Sequence, residues 1–466
     1  MFNFTLKLLF CFYLLRASAY AAGLPSTVAA ALGEAQIPLQ SVGIVVWDDD
    51  QPQPGISINP SRPFNPASTM KLVTSYAALG LLGPAYTWQT LAATDGTLHN
   101  GTLDGNLYLK GNGDPGLTVE RFWMLLHQLR LSGLRRINGD LIIDQSYFQP
   151  ASSAAFDDQP HRAYNALPAA TMVNYNSNTV YLKTENNRLQ LSAEPLPSNA
   201  RLINRIKLDG APCSSWRERI HIEWHADERR LVLSGAYPRA CGDKTLSITL
   251  GDASELAGDY FTSLWRNEGG SFNGRVRNGL TPAQAVPVLS FPSEPLSIAL
   301  YNQDKFSNNV MARNLFLSLS TATPADARTA AERLRSWLVE ENLHFPELIV
   351  DNGAGLSRIE RISPASMAEL LRSADRSPFY AEFAAALPIV ALDGTMKKRD
   401  LNDPVAGHAH IKTGTLDGIK TMAGYVTRPN GHNTVVVFFI DDPHAAAGTA
   451  AQDALLAWVY RGGDGR

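Results

Sequence analysis

One serine and one lysine stand at a spacing that suits nucleophilic catalysis. Ser68 and Lys71 are three residues apart, and no other lysine of the chain has a serine three residues before it. On a helix, which turns once in about 3.6 residues, the two side chains would share one face. Serine is a poor nucleophile until a neighbour takes its proton, and a lysine can do so when burial or nearby cations lower its pKa. The spacing therefore predicts Ser68 as a nucleophile and Lys71 as its base.

The surrounding residues predict a helix that would present this pair. Pro66 and the polar Ser68-Thr69 pair suit a helix start, and an apolar stripe continues toward a stop near Gly80 or Gly83. A nucleophile at a helix N-terminus is also close to free N–H groups and to the positive end of the helix dipole.

Two further short motifs strengthen the case that Ser68 and Lys71 are catalytic. Ser307-Asn308-Asn309 and Lys412-Thr413-Gly414-Thr415 follow Ser68 and Lys71 in chain order. The ordered set Ser-x-x-Lys, Ser-x-Asn, Lys-Thr-Gly is the signature of the penicillin-binding proteins and serine β-lactamases. Each sequence alone has an ordinary structural interpretation, such as a helix cap or a solvated strand lysine. Together they favour a catalytic site.

The mechanistic hypothesis assigns one task to each of five residues. Ser68 attacks a carbonyl carbon, and Lys71 takes the Ser68 proton. Lys412 supplies a positive field that keeps Lys71 partly neutral, while Ser307 relays a proton to the leaving amine. Asn309 would hold Lys71 and the substrate amide by hydrogen bonds.

The Lys-Thr-Gly segment is expected to bind the substrate. Thr413 and Thr415 would bind a terminal carboxylate together with Lys412, and Gly414 belongs to the same binding strand. The backbone N–H groups of Ser68 and Thr415 would form an oxyanion hole.

Composition limits the class of protein. The chain has 466 residues, of which 45% are hydrophobic and 18% charged, and its formal net charge is −3. Two or three domains with a sizeable core are expected at this length. A charge so near neutral gives no reason to expect a nucleic-acid partner.

The first residues are typical of a secretory signal. Lys7 is followed by the apolar run 8–15 and by Ala19-Tyr20-Ala21, a small-x-small cleavage site. We therefore predict a signal peptide over residues 1–21 and a periplasmic protein. The run is short for a bilayer span, although an uncleaved anchor and a peripheral association with the membrane stay open.

Cysteine usage agrees with export. Cleavage of the signal would remove Cys11 and leave Cys213 and Cys241, for which a disulfide is the expected state. Such a link would stabilise the fold by roughly 3 kcal/mol on the chain-entropy estimate. Two buried free thiols are the alternative. No metal and no cofactor are expected, because no Cys-x-x-Cys or paired histidine spacing accompanies the cysteines.

Local patterns divide the chain into a discontinuous main domain and a β-rich insertion. Strands are predicted over 41–47, 56–58, 422–427 and 434–440, and helices over 306–319, 325–341 and 364–374. Turn-forming sequences multiply after about Thr87, and a Pro-rich stretch over 282–295 reads as a second boundary. The predicted boundaries are 22–87 with 286–466 for the main domain and 88–285 for the insertion, divided into about 88–160 with 240–285 and about 161–239.

These features resemble the class C low-molecular-mass penicillin-binding proteins, a family of D-alanyl-D-alanine carboxypeptidases and endopeptidases. Other matching passages are 111–115, 139–144, 351–358 and 392–396. The resemblance implies an α/β fold: a transpeptidase domain like that of penicillin-binding proteins and serine β-lactamases, with an antiparallel sheet flanked by helices and a large β-rich insertion. It also implies peptidoglycan stem peptides as substrates and β-lactam antibiotics as covalent inhibitors.

The resemblance extends to residues that would contact the far end of the peptide. Arg358 offers a cation for a carboxylate, and Asp144 stands where the family has an acidic residue that approaches the diaminopimelate end. Two positions depart from the family pattern: Gly116 replaces a hydroxyl residue, and Asp417 stands where some relatives carry glutamine. Asp417 is a candidate substrate-binding residue that would change the charge of its subsite.

Three other functions agree less well with the sequence than a DD-peptidase. A serine β-lactamase shares the motifs but lacks the long insertion. A non-catalytic peptidoglycan-binding or sensor protein would have lost Ser68, Lys71 or Lys412. A Ser-His-Asp esterase needs a Gly-x-Ser-x-Gly elbow, which the chain lacks. The ratio of carboxypeptidase to endopeptidase activity and the formation of a homodimer stay open.

Overall fold

The structure is a computed structural model that describes residues 23–150, 155–197, 200–399 and 402–463. The predicted signal peptide lies outside these ranges. The chain forms two compact units, and the first comprises the described parts of Met1–Pro84, Leu300–Ser307 and Leu334–Arg466. The second comprises the described parts of Ala85–Ala299 and Asn308–Arg333. The domain boundaries drawn from the turn signals stay a prediction. None of the helices in the described ranges is long and apolar enough to cross a membrane.

Helices and strands alternate irregularly along the described chain. The helices are α1 (Ser26–Glu34), α2 (Met70–Leu82), α3 (Val119–Leu131), α4 (Ala253–Asn267), α5 (Leu296–Lys305), α6 (Asn309–Leu317), α7 (Ala327–Glu340), α8 (Pro364–Asp375), α9 (Tyr380–Ala386) and α10 (Thr449–Tyr460). The strands of the first unit are β1 (Val42–Asp48), β2 (Ile56–Ile58), β18 (Ala409–Leu416), β19 (Ile419–Thr427) and β20 (Asn433–Asp441).

The second unit holds the remaining strands. They are β3 (Gln89–Thr94), β4 (Thr97–His99), β5 (Thr102–Asp104), β6 (Leu107–Gly111), β7 (Arg136–Ile137), β8 (Leu141–Asp144), β9 (Asn178–Glu185), β10 (Arg188–Glu194), β11 (Arg201–Asp209), β12 (Ile220–His225), β13 (Arg230–Pro238), β14 (Lys244–Ile248), β15 (Ser271–Phe272), β16 (Val276–Asn278) and β17 (Val286–Pro292).

The first unit is built on a five-stranded antiparallel sheet. Its strand order is β18-β19-β20-β1-β2, so the N-terminal strand β1 pairs with β20 from the C-terminal part of the chain. The strands predicted over 41–47, 56–58, 422–427 and 434–440 are present, and they pair as the antiparallel hairpins β1–β2 and β19–β20. Strand β18, which carries the Lys-Thr-Gly motif, is an edge strand.

Both faces of this sheet are covered, as the nearly unbroken apolar sequence of β20 indicates. On one face, Phe438 and Ile440 join a core that includes Val28 of α1 and Leu455 of α10. On the other face, the ring of Phe439 lies 6.3 Å from that of Phe64. A fully buried side chain of this size contributes about 1.5–3 kcal/mol, so the sheet is a rigid support for the elements at its edge.

The described residues of the second unit form four sheets and two large apolar cores, besides smaller buried clusters. A five-stranded sheet, of order β16-β8-β6-β3-β17, packs with α3 and α4, and a four-stranded sheet has the order β15-β7-β5-β4. Two three-stranded sheets, β10-β9-β14 and β11-β13-β12, share a separate core. Cys213 and Cys241 are joined by a disulfide in this second core, with their Cα atoms 4.9 Å apart, so the predicted bridge is confirmed.

The insertion is β-rich, as predicted, and it also contains α3 and α4. Helix α3 buries apolar residues at helical spacing, such as Phe122, Leu125 and Leu129, and α4 packs in the same core. The helix predicted over 306–319 was wrong at its start. Helix α5 ends at Lys305, residues 306–308 are not helical, and α6 begins at Asn309. Asn308 caps α6 by accepting hydrogen bonds from two backbone N–H groups, which a continuous helix would not permit.

Candidate active site

Ser68 lies in a tight turn that leads directly into α2. The turn, Ala67–Thr69, is a 3₁₀ helix, and α2 follows it without a gap. Asn65 accepts a hydrogen bond from the Ala67 N–H at 2.9 Å, and Thr69 donates its hydroxyl to the Pro66 carbonyl at 2.7 Å. Ala67 has φ +46°, which alanine rarely adopts, so the surrounding contacts hold Ser68 in a defined orientation.

Lys71 is in contact with the serine that the spacing predicted. Its side chain is fully buried, and its Nζ lies 3.0 Å from Ser68 Oγ. Lys71 also donates a hydrogen bond to the carbonyl of Ala354. The serine hydroxyl and the amine are therefore within proton-transfer distance.

The loop that contacts Lys71 is organised by a buried carboxylate. Glu360 Oε1 accepts hydrogen bonds from the N–H groups of Asp351, Asn352 and Gly353 at 3.0–3.1 Å. Burial raises the pKa of Glu360, although these three donors act in the opposite direction. Within the same loop, a Cβ on Gly355 would meet the Ala67 carbonyl oxygen at 1.8 Å, so glycine is required where the loop approaches the Ser68 turn.

Strand β18 approaches the same turn from another side. A Cβ on Gly414 would lie 2.7 Å from the Ser68 nitrogen and 2.3 Å from Thr421 Oγ1. Thr421 itself donates to the Pro66 carbonyl at 2.7 Å, which ties β19 to the turn. The glycine of the Lys-Thr-Gly motif is therefore what allows β18 to reach the backbone of the nucleophile.

The outer edge of β18 presents backbone groups at alternate residues. The Ile411 N–H bonds to Pro388 on the side away from β19. Because N–H groups alternate sides along a strand, those of Thr413 and Thr415 also point to the outer edge. Among the described residues, no strand pairs with this edge beyond the bridge at His410.

Lys412 and Ser307 form a second lysine–serine pair. Lys412 is fully buried, and its Nζ lies 2.9 Å from Ser307 Oγ and 2.9 Å from the Thr413 carbonyl oxygen. Ser307 has φ +55° and lies in the break between α5 and α6, where its N–H bonds to the Asp304 carbonyl at 3.3 Å. Burial lowers the pKa of Lys412 to about 8, and the negative charge of Asp304 opposes that shift.

Comparison with known proteins decides the family. Residues 24–461 match the D-Ala-D-Ala carboxypeptidase 3 (S13) family. The chain belongs to this family. The predicted family, the serine-type D-alanyl-D-alanine carboxypeptidase function and the penicillin-binding fold are thereby confirmed.

Individual relatives agree in sequence and in fold. The chain is 27% identical to the D-alanyl-D-alanine carboxypeptidase DacB of Haemophilus influenzae over 414 residues, which are 86% of this chain and 85% of that protein. It is 29% identical to the D-alanyl-D-alanine carboxypeptidase of Actinomadura sp. strain R39 over 440 residues, or 89% and 80% of the two chains. The crystal structure of penicillin-binding protein 4 (dacB) from Haemophilus influenzae aligns with a TM-score of 0.77 at 24% identity, covering 95% of this chain and 99% of that one. A second structure of that protein, in complex with a β-lactam, aligns with a TM-score of 0.74 at 25% identity, covering 94% and 100%.

The S13 site contains charged residues that the motifs did not reveal. Asp304 is fully buried next to Lys305, whose Nζ lies 2.6 Å from Asp393 Oδ2. Thr395, two residues after Asp393, shares a hydrogen bond of 2.9 Å with Thr413. The sequence signal for these residues is the adjacent charged pair Asp304-Lys305, just before Ser307. It was not used because no helix was predicted over α5.

The other predicted binding residues lie in different places. The exposed Arg358 donates a hydrogen bond to the Asp417 carbonyl at 3.3 Å, so the structure brings these two together beyond the end of β18. Asp144 belongs to the second unit and is 1% exposed. Asn309 is the first residue of α6, also in the second unit, and its predicted role stays a prediction.

Asp144 already has partners for its carboxylate. It accepts hydrogen bonds from the N–H groups of Ser146 and Thr281 at 2.9 and 2.7 Å, and Lys110 Nζ lies 3.7 Å away. Burial alone would raise the pKa of Asp144, but the hydrogen bonds from Ser146 and Thr281 together lower it. A peptide ammonium group would have to compete with these contacts, and the predicted contact stays a prediction.

Proposed function

We propose that Ser68 is the acylated nucleophile and that the two lysine–serine pairs divide the proton transfers of the DD-peptidase reaction. The observation that carries the proposal is that one unit of the fold holds Lys71 Nζ 3.0 Å from Ser68 Oγ and Lys412 Nζ 2.9 Å from Ser307 Oγ. These are hydrogen-bond distances suited to proton transfer.

Acylation proceeds by attack of Ser68 Oγ on the carbonyl carbon between two D-alanines. The Ser68 proton passes to neutral Lys71 as the C–O bond forms. The negative charge on the carbonyl oxygen is then stabilised by the N–H groups of Ser68 and Thr415, and the approach of Gly414 to the Ser68 nitrogen supports this pairing. The C–N bond breaks as Ser307 donates its hydroxyl proton to the leaving amine and regains a proton from Lys412, and free D-alanine departs.

Deacylation uses the same groups in reverse. Water attacks the Ser68 ester and its proton passes through Ser307 to Lys412. Lys71 returns its proton to Ser68 Oγ as the ester bond breaks, and the shortened peptide leaves with a new carboxylate. β-Lactams would acylate Ser68 by opening their ring, and the ring-opened group would block this water. The β-lactam complex of the Haemophilus influenzae relative supports this part of the proposal.

The edge of β18 is suited to the C-terminal end of the stem peptide. An extended peptide can pair with an open strand edge through main-chain hydrogen bonds, and Thr413 and Thr415 present N–H groups there. The terminal carboxylate would bind Lys412 and the two threonine hydroxyls. Farther along, the Arg358 guanidinium would bind a second carboxylate of the peptide, and Asp417 an ammonium group.

We extend the proposal to crosslinked peptides and to export. In an endopeptidase reaction the leaving amine belongs to the side chain of a neighbouring stem peptide, and the bond broken is otherwise the same. The substrate, peptidoglycan, is reached after export by the signal peptide predicted over residues 1–21.

A labelling experiment tests the nucleophile. Purified protein is incubated with penicillin, and the acylated residue is located by mass spectrometry after proteolysis. We expect a penicilloyl group on Ser68, none in Ser68→Ala, and normal labelling in Ser57→Ala, which removes an exposed serine of the same unit. A label on another serine would refute the assignment.

Digestion of purified muropeptides tests the substrate. Monomeric pentapeptide should lose its terminal D-alanine, and crosslinked dimers should be separated into monomers. Dimers that stay intact while pentapeptide is trimmed would restrict the protein to carboxypeptidase activity. Rapid penicillin hydrolysis without peptide cleavage would favour a β-lactamase instead.

A further inference from the structure

A buried carboxylate, that of Asp304, lies close to the two lysines of the site. Asp304 is fully buried near the end of α5, and its Oδ2 accepts the Ser75 hydroxyl at 2.8 Å. Ser75 follows Lys71 by four residues on α2, so it lies on the same helix face as Lys71. The Asp304 carbonyl accepts the N–H of Ser307, the residue that Lys412 contacts. Asp304 therefore adjoins both lysine–serine pairs.

Two side-chain hydrogen-bond donors fix the orientation of the Asp304 carboxylate. Besides Ser75, Gln303 donates to Asp304 Oδ1 at 3.3 Å and to Ser75 Oγ at 3.0 Å. Gln303 is itself buried. This network of three side chains connects α5 to α2, the helix that carries Lys71.

Other charged or titratable groups of the same unit have partners other than Asp304. Lys305, next to Asp304, forms its ion pair with Asp393. His410, two residues before Lys412, has a pKa lowered by burial, with smaller effects from Lys305 and Asp393. Glu360 accepts three backbone N–H groups of its own loop. The charges with the largest effect on the pKa of Asp304 are those of Lys412 and, after it, Lys71, and both lower that pKa.

Three buried titratable groups with one acid and two bases favour one charge state. An uncompensated buried charge is costly, whereas a buried pair of opposite charges compensates itself. One carboxylate can therefore compensate one protonated lysine and leave the second lysine neutral. The reaction needs this distribution, because Lys71 must be neutral to accept a proton and Lys412 charged to bind a carboxylate.

We propose that Asp304 is a positioning residue that keeps Lys412 protonated and leaves Lys71 as the neutral lysine of the site. The inference rests on the proposed function, since it assigns a cause to the protonation states that the mechanism requires.

The directions of the pKa shifts agree with this distribution. Burial raises the pKa of Asp304, and the attraction of Lys412, followed at a lower level by that of Lys71, works against the rise. The stronger attraction is therefore to Lys412. In return, Asp304 holds the pKa of Lys412 up to about 8 against the effect of burial.

The test is the pH profile of Ser68 acylation in Asp304→Asn. Loss of the carboxylate removes the charge that favours protonated Lys412, so Lys412 loses its proton at lower pH. An opposite charge at short range shifts a pKa by about 1–3 units, and we expect the alkaline limb of the acylation rate to move to lower pH by that order. Above the shifted limb, each unit of displacement is a tenfold loss of rate. A purely structural role would lower the rate equally at every pH.

Two further variants complete the experiment. Asp403→Asn removes a carboxylate of the same unit that pairs with Arg461 away from the site, and its alkaline limb should coincide with that of the wild type. Ser75→Ala keeps the Asp304 charge but removes one donor to it, and should displace the limb in the same direction by less. Ser75→Ala also tests the inference if Asp304→Asn does not fold.

The outcomes separate this inference from the proposed function. If penicillin acylates wild-type Ser68 and the alkaline limb is unmoved in the folded variants, the role of Asp304 is wrong while the nucleophile stands. If wild-type Ser68 is not acylated at all, the proposed function fails, and the inference fails with it.

Discussion

Replacing Gly414 by alanine is expected to stop acylation while leaving the protein folded. The added Cβ would lie 2.3 Å from Thr421 Oγ1 and 2.7 Å from the Ser68 nitrogen, against 3.4 Å for ordinary contact. The strand or the turn must therefore move by about 0.7–1.1 Å, the scale at which misplacement costs about 10²-fold in rate. Because the movement separates β18 from the Ser68 N–H, it also removes an oxyanion-hole donor, whose loss costs about 10²–10³-fold.

The neighbours of Gly414 cannot absorb the methyl group without other losses. Thr421 could rotate away only by breaking its hydrogen bond to the Pro66 carbonyl, and the Ser68 nitrogen is backbone. Overpacking of this kind destabilises a fold by about 1–3 kcal/mol, which a protein of this size tolerates. The double variant Gly414→Ala with Thr421→Ala should recover part of the stability but not the acylation rate, because the contact with Ser68 remains.

Stopped-flow acylation by a chromogenic β-lactam, together with thermal unfolding, measures both effects. Gly55→Ala is the matched control, since a Cβ at Gly55 would have no heavy atom within 4 Å. If folded Gly414→Ala is acylated within a few-fold of the wild-type rate, the approach of β18 to Ser68 does not build the oxyanion hole, and that step of the mechanism is wrong.

Three other predictions follow from the same structure. The acylation rate should fall as pH rises through about 8, because the cationic form of Lys412 predominates only below its pKa, and a rate that rises throughout pH 7–10 would contradict this. Reduction of Cys213–Cys241 should lower the stability of the second unit by about 3 kcal/mol yet leave Ser68 acylation within two-fold, as denaturant titration and penicillin labelling would show. Glu360→Ala should cost about 1–3 kcal/mol and slow acylation by misplacing the loop that contacts Lys71, and Glu360→Gln, which keeps an acceptor, should recover most of both.

The motifs located the reacting groups because their spacing has a direct geometric meaning. A three-residue separation on a helix places Ser68 beside Lys71, and the structure has them 3.0 Å apart. The alternation along a strand likewise indicates which groups of the Lys-Thr-Gly segment face the same way, and β18 has Lys412 and Gly414 on one face. These are local properties, and local sequence is sufficient to predict them.

The residues that were missed depend on contacts between distant parts of the chain. Asp304 acquires its environment from Ser75, which is 229 residues away, and Lys71 bonds to a loop 283 residues away. No spacing rule connects such positions. The break between α5 and α6 was missed for a related reason: Asn308 as a cap is a weak signal inside an apolar pattern that suits a longer helix.

Both serines of the site lie at backbone conformations that non-glycine residues rarely adopt. Ala67, which precedes Ser68, and Ser307 have φ +46° and +55°, and each such residue costs of order 1–3 kcal/mol. The strain persists because neighbouring backbone approaches too closely to allow relaxation, at Gly355 and Gly414 for Ala67–Ser68. Asp304 holds Ser307 in a comparable way through its carbonyl. The stable sheet of the first unit thus supports two strained residues, and because they cannot relax, the two hydroxyl groups are already aligned with their lysines before substrate binds.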